Sequence, residues 1–294
     1  MNVLITGGTG FIGTPLTSRL LKAGHTLTVL SRSPRPEITN ATWISSLEEL
    51  REDLDFDAVI NLAGQPIMAQ RWSASVKQQL VESRVDLTRK LVERLRRSAR
   101  KPRVLISGSA IGIYGDHGDE SIVETSSCHG GFGHSLCVDW EAAALQAEAL
   151  GIRVCRVRTG LVVGPQGGFL KELIQPFSLG LGGRLGSGQQ WMSWIHLEDE
   201  IGIIQYLLDT PSAHGAFNLT APQPVTNQAF TTALAARLRR PAWLNLPAWL
   251  LKVMLGERSE LLLESAKVLP ERIEGLGYRF VHPTLDSALR AVLD

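Results

Sequence analysis

Several residue types that would mark this chain for common roles are scarce. It has only three cysteines, Cys128, Cys137 and Cys155, an odd set without a Cys-x-x-Cys pair, which argues against a disulfide framework. Neither sign of charge is in excess: 30 Lys+Arg stand against 29 Asp+Glu, a formal net charge of +1. That balance gives no electrostatic case for nucleic acid or a membrane surface as a partner. No apolar run approaches the roughly 18 residues needed to span a bilayer. The start, Met1-Asn2-Val3-Leu4-Ile5-Thr6, has no basic flank and runs straight into glycines, unlike a secretory signal. A cytoplasmic location is expected. Tyrosine is scarce too, with Tyr114, Tyr206 and Tyr278 the whole set.

What remains is an ordinary globular composition: 294 residues, 44% hydrophobic, with 28 Gly and 14 Pro. This length suits one large or two modest domains. The first third alternates short β-branched runs with longer amphipathic stretches, the pattern of βαβ units and a parallel sheet. Strands are expected at Val3-Leu4-Ile5, Thr26 to Leu30, Ala41 to Ile44, Ala58 to Leu62, Arg103 to Ser107 and Ile152 to Val157. Helices are expected from about Phe11 to Lys22 with Gly24 as C-cap, over Ser73 to Arg97, and around Trp140 to Leu150. Beyond Pro165 glycines and prolines multiply. A Rossmann-type doubly wound parallel sheet is therefore expected over residues 1–165, to which later strands could return, with a smaller C-terminal α+β domain over 166–294.

Thr6-Gly7-Gly8-Thr9-Gly10-Phe11-Ile12-Gly13 follows the first strand and opens the first helix. In this spacing Gly7 permits the tight turn, Gly10 lets a pyrophosphate approach the backbone, and Gly13 lets the helix pack against the sheet. The N–H groups of Gly10, Phe11 and Ile12 would face the anion from the positive helix end. The second strand is followed by Ser31-Arg32-Ser33 instead of an acid for a ribose 2′-hydroxyl. Ser31 and Arg32 suit a 2′-phosphate, so NADP(H) is favoured over NAD. Leu62, Ala63 and Gly64, ending the fourth strand, would line the adenosine side.

The chain resembles the extended short-chain dehydrogenase/reductases. The glycine motif, Asn61-Leu62-Ala63-Gly64, Tyr114-Gly115, Arg158 to Gly164-Pro165 and Trp194-Ile195-His196-Leu197-Glu198-Asp199 carry the resemblance, in that order. Arg71-Trp72, Glu82-Ser83-Arg84-Val85, Asp139 to Ala143, Gly188 to Trp194 and the tail through Tyr278 and Leu289 are similar to its atypical, epimerase-like YfcH family. That family has a C-terminal domain of unknown function. The resemblance implies an NADP(H) site, to which Arg84 would contribute; the alternative for Arg84 is a surface ion pair with Glu82 or Asp86. It also carries a label of cell-division inhibitor.

Catalytic members use a Tyr-x-x-x-Lys pair, whose lysine lowers the tyrosine pKa for proton exchange. Four residues after Tyr114, Tyr206 and Tyr278 stand Gly118, Thr210 and His282, so the pair is absent. Matching Glu141 to the family's helix glutamate puts Gly133 and Cys137 in the Tyr and Lys places. Ser109 and His134 are the candidates left for proton chemistry. Met192 replaces an arginine often used for a nucleotide-sugar diphosphate, so the expected substrate is a small molecule other than a nucleotide sugar. Trp191, Met192 and Trp194 suggest an apolar wall, against the commoner role of tryptophan as core. Cys128, His129, His134 and Cys137 lack zinc spacing, and no metal is expected. Two readings follow: an NADP(H)-dependent oxidoreductase or epimerase with an unconventional proton donor, or a non-catalytic NADPH-binding regulator. A homodimer is an open alternative for either.

Overall fold

The computed structural model describes residues 1–31, 38–50, 55–165 and 167–294. Its first half contains β1 (Asn2–Thr6), α1 (Gly13–Lys22), β2 (Thr26–Leu30), β3 (Ala41–Ile44), β4 (Ala58–Asn61), α2 (Ala74–Val81), α3 (Leu87–Arg97), β5 (Val104–Ala110), β6 (Ser121–Ile122), α4 (Phe132–Leu145) and β7 (Arg153–Thr159). Then follow β8 (Leu161–Val163), α5 (Gly168–Ser178), β9 (Gly183–Leu185), β10 (Trp191–Met192), β11 (Trp194–His196), α6 (Leu197–Asp209), β12 (Gly215–Leu219), β13 (Val225–Thr226) and α7 (Asn227–Leu238). The tail holds β14 (Leu244–Leu246), α8 (Ala248–Leu255), α9 (Glu260–Leu263), β15 (Lys267–Val268), α10 (Glu271–Gly275) and α11 (Leu285–Leu293).

Seven strands make one sheet in the order β12-β7-β5-β4-β1-β2-β3, every pairing parallel. Strand residues alternate between its faces. Val3, Ile5, Ile106 and Val157 pack with Leu16 and Leu20 of α1 and Ile201 and Ile204 of α6. Leu4, Val59, Leu105 and Val154 pack with Leu91 and Leu95 of α3 and Ala144 of α4. With helices on both faces, the apolar runs of these strands are fully used. The strand order reverses between β1 and β4, which makes the crevice at their carboxyl ends the switch point where such sheets bind ligands.

The structure differs locally from the sequence reading at two helices. Helix α4 begins at Phe132, well before Trp140, because its glycine-rich first turn masks the helical pattern. The stretch from Ser73 to Arg97 is helical throughout but carries a π-turn over Glu82–Asp86. Past Pro165 the chain returns to the sheet, with α6 on one face and β12 beside β7. The rest of the second half gathers around Trp194, Phe230, Leu234, Leu285 and Ala288. Short pairs β8·β11, β9·β14 and antiparallel β10·β13 frame it, and β15 joins it to β6.

Trp194 is fully buried, its Nε1–H donating to the Gln223 carbonyl at 3.0 Å, and Met192 is buried beside it. They are core, not a substrate wall; Trp191 is only half-buried and donates to Asp119 Oδ1 at 2.9 Å. The three cysteines are free. Among the described residues no helix is long and apolar enough to cross a membrane.

Candidate functional site

The turn after β1 is built by backbone contacts that leave no room for side chains. Gly7 sits at φ +71°, and a Cβ there would lie 2.6 Å from the Leu62 carbonyl carbon and 2.7 Å from the Ala63 nitrogen. A Cβ on Gly13 would lie 2.1 Å from the Gly7 oxygen. The β1 turn, the β4 turn and the start of α1 thus touch through backbone alone. Leu62 and Ala63 are held there by N–H bonds to the Thr6 carbonyl and Thr6 Oγ1 at 3.1 and 3.2 Å. Thr6 Oγ1 in turn donates to Asn61 Oδ1 at 2.6 Å.

One expectation needs correction here. The Gly10 N–H donates to the Gly7 carbonyl at 3.0 Å and so closes the turn instead of facing an anion. Phe11 and Ile12 make no N–H bond among the described residues and remain donors at the positive end of α1. The Phe11 ring turns to the loop after β8, where a Cβ on Gly164 would lie 3.0 Å from it and one on Gly167 2.2 Å. Ser31 is buried at the end of β2, its N–H on the Ile44 carbonyl at 2.9 Å. Arg32 lies outside the described residues.

Arg84 is not in an ion pair with Glu82 or Asp86. It springs from the π-turn, a feature often found at functional sites, and donates to the Gln65 carbonyl at 2.7 Å. Its guanidinium carbon would lie 2.9 Å from a Cβ on Gly64 and stands 5.4 Å from the Trp140 ring. Burial, with no carboxylate to oppose it, pulls its pKa below the usual arginine value. An unneutralised cation therefore borders the β4 turn.

Beside this cradle, β5 and α4 carry the other candidates. Ser109 Oγ donates to Glu141 Oε1 at 2.8 Å, so its proton is engaged inside the protein. Glu141 also receives Arg158 Nε and Nη2 at 2.8 and 3.1 Å and Arg156 Nη1 at 2.7 Å. Burial pushes this carboxyl up, but the contacts to Arg158, Arg156 and Ser109 outweigh it and hold the pKa below the glutamate value. Arg158 Nη1 reaches on to the Tyr114 hydroxyl at 2.8 Å, which donates to Asn218 Oδ1 at 2.6 Å. Burial pushes the Tyr114 phenol up to about 12. Tyr114 is therefore a neutral core link. Sequence reasoning missed this network, although two arginines two residues apart on β7 must share one sheet face.

His134, on the first turn of α4, places Nδ1 2.6 Å from the Ile113 carbonyl; a proton on Nδ1 leaves Nε2 as the acceptor. Gly133 and Cys137 lie on the same helix. Burial raises the Cys137 thiol to about 11, and the Glu141 charge acts in the same sense. The segment entering α9 covers this end of α4: a Cβ on Gly131 would lie 2.7 Å from Glu260 Oε2, and one on Gly133 3.8 Å from Glu260 Oε1.

On the opposite sheet face Glu200 of α6 is fully buried; it accepts the Thr159 hydroxyl at 2.7 Å, and its Oε2 has no partner among the described residues. Burial pushes its pKa from 4.5 to about 8. The folded carboxyl holds its proton where the unfolded one has lost it, so its contribution to stability is full below about 4.5 and is lost as pH rises towards about 8. Glu200→Gln is expected to remove most of that alkaline loss, at most about 1.4 kcal/mol per pH unit. Melting curves at pH 5 and 9 check it: wild type must fall further than the variant, and equal falls would refute it. At the N-cap of α6, His196 Nδ1 accepts the Glu198 N–H at 3.2 Å. Asp199 anchors the tail through the Val281 and His282 N–H groups at 2.8 and 2.9 Å.

A parallel sheet reversing at β1/β4, with a side-chain-free glycine cradle at that point, defines a Rossmann-type dinucleotide-binding α/β protein. The profile of the NAD dependent epimerase/dehydratase family matches residues 3–220, and a domain of unknown function, DUF1731, matches residues 246–292. The chain belongs to the NAD dependent epimerase/dehydratase family. It is 40% identical over 290 residues to epimerase family protein Mb2239 of Mycobacterium bovis, covering 98% of this chain and 96% of that one. The crystal structure of human epimerase family protein SDR39U1 (isoform 2) with NADPH is similar at 34% identity and a TM-score of 0.92, covering 100% and 99% of the two chains. A nucleoside-diphosphate sugar epimerase of Corynebacterium glutamicum matches at 30% identity and a TM-score of 0.82, over 100% of this chain and 58% of that one.

Proposed function

We propose that the protein binds NADP(H) across the carboxyl ends of β1, β4 and β5 and acts as an epimerase-like oxidoreductase on a small, uncharged or partly apolar substrate. The observation that carries this reading is the cradle of Gly7, Gly13 and Gly64, where a Cβ would strike backbone or the Arg84 guanidinium, beneath the unbonded N–H groups of Phe11 and Ile12. The NADPH complex of the human relative supports the same cofactor. In this reading the Phe11 and Ile12 N–H groups hold the pyrophosphate, Ser31 and Arg32 hold the 2′-phosphate, and Leu62, Ala63 and Gly64 lie along the adenosine side. Arg84 supplies positive charge beside Gly64. The bound dinucleotide would supply hydride chemistry; the chain's own residues bind it, orient it and handle the proton.

The substrate reading rests on the sequence replacement of an arginine, often used for a sugar diphosphate, by Met192; the buried Met192 itself lines no wall for a substrate. Groups able to carry a proton, His134 on the first turn of α4 and Glu260 of α9 packed beside that turn, favour an enzyme over a regulator that only senses the dinucleotide. Arg32→Asp tests the cofactor. Replacing a guanidinium with a carboxylate should weaken NADPH at least about tenfold relative to NADH, since a charge-assisted pair becomes a repulsion. Fluorescence titration of both dinucleotides measures this, and an unchanged NADPH/NADH ratio would remove Arg32 from the site.

A further inference from the structure

We propose that Glu260, delivered by the C-terminal module, is the proton carrier of this site and stands where the family's tyrosine would stand. The proposal rests on the dinucleotide reading above. Its basis is a set of contacts around the first turn of α4. Gly133 occupies the tyrosine place and has no side chain, and Glu260 Oε1 lies 3.8 Å from where its Cβ would be. A Cβ on Gly131, two residues before, would lie 2.7 Å from Glu260 Oε2, so any side chain there would displace the carboxylate. The nearby Gly133 N–H acts to lower the pKa of this carboxyl, against the net rise that burial produces. Gly131 thus clears the room that the carboxylate fills, a Cβ on Gly133 would meet it at ordinary contact distance, and Leu261, the next residue, packs in one cluster with Phe132 and Trp72.

The surroundings suit a group that must gain and lose a proton. Glu260 is only partly buried and so keeps a route to water. The charges facing it are Glu257, which with burial raises its pKa, Lys77, which lowers it, and Glu264, whose own carboxyl is pushed up to about 7 by burial and by Glu260. The lysine place is held by Cys137, and Arg84 is near enough to oppose the rise of that thiol. Tyrosine and lysine from one helix are thereby exchanged for a carboxyl from α9 and a guanidinium from the π-turn.

In a carbonyl reduction, the Glu260 carboxyl gives its O–H proton to the carbonyl oxygen while the hydride of the bound NADPH reaches the carbon. The products are an alcohol, NADP⁺ and the Glu260 carboxylate, which regains its proton from water; the reverse direction uses the carboxylate as base.

The test follows the carboxyl itself in the full-length protein labelled with ¹³C at glutamate Cδ, with Glu260→Gln used to assign the resonance. The proposal expects the Glu260 signal to titrate above the ordinary glutamate range and to shift on saturation with NADPH. It also expects Glu260→Gln to bind NADPH within about twofold of wild type by fluorescence, because the carboxyl does not hold the phosphates. Any NADPH-dependent reduction of diacetyl by wild type should fall about 100-fold or more in the variant. A resonance that titrates as a free carboxylate, or ignores saturating NADPH, overturns the role of Glu260 while leaving the cofactor reading intact. Failure of wild type to bind NADPH overturns the cofactor reading, and with it this proposal.

Discussion

Gly13→Ala is expected to weaken NADPH binding by more than 100-fold, about 2.7 kcal/mol, and to destabilise the fold. The new Cβ would lie 2.1 Å from the Gly7 oxygen and 2.7 Å from the Gly8 Cα. Both are backbone atoms of the same turn, so no side chain can swing aside; α1 must lift from the sheet or the turn must open. Overpacking of this kind costs about 1–3 kcal/mol or more in stability. Either movement also displaces the Phe11 and Ile12 N–H groups that start the helix. Gly10→Ala provides the contrast. Gly10 is absent from the positive-φ glycines, and a Cβ there would meet only the Gly7 oxygen, at 3.3 Å. Its stability should change by less than about 1 kcal/mol, while NADPH affinity still falls if a pyrophosphate lies against it. Dinucleotide titration beside urea unfolding separates the two effects. Full NADPH affinity in Gly13→Ala would show that the cradle is not the binding site.

Glu141→Ala should be the most destabilising single change in the interior, with a loss of about 3–5 kcal/mol. Glu141 is 4% exposed and is the only carboxylate bonded to Arg158 or Arg156 among the described residues. Removing it leaves one buried and one half-buried guanidinium without a counter-charge, and frees the Ser109 hydroxyl. The pH dependence has a definite sign. The folded pKa of Glu141 is depressed, so its contribution is present above the unfolded carboxylate value near about 4.3 and is lost as pH falls through the folded value. The variant should therefore show a flatter acid limb as well as a lower midpoint at pH 7. Urea unfolding from pH 3 to 7 reads both. A loss below about 1 kcal/mol would mean that the two arginines find water or another partner.

Much of the dinucleotide half was legible because its signals are local. The β2 and β3 boundaries follow directly from the Thr26 to Leu30 and Ala41 to Ile44 runs. Gly24 at φ +81° ends α1 as its position suggested. Other readings failed where a second contact competes with the local pattern. Gly10 offers an N–H to an anion by motif, yet the tight turn takes it for the Gly7 carbonyl. For Arg84 it was only the alternative, an ion pair with Glu82 or Asp86, that was not found: from the π-turn it reaches Gly64, the Gln65 carbonyl and the Trp140 ring. Trp194 and Met192 looked like a wall because aromatic and apolar residues clustered; burial against Phe230 and Leu234 made them core.

The sequence by itself determined the alternation of strands and helices, the glycine turn between β1 and α1, and the absence of a Tyr-x-x-x-Lys pair. These depend on residues within a turn or two of each other, where period, φ and spacing decide the outcome. Only the tertiary structure decided that β12 completes the sheet, that Glu141 gathers Ser109, Arg156 and Arg158, and that Glu260 fills the space beside Gly133. Those meetings join segments distant in the chain. They are selected by which faces bury apolar area and which buried charges find partners, and no local pattern carries that information.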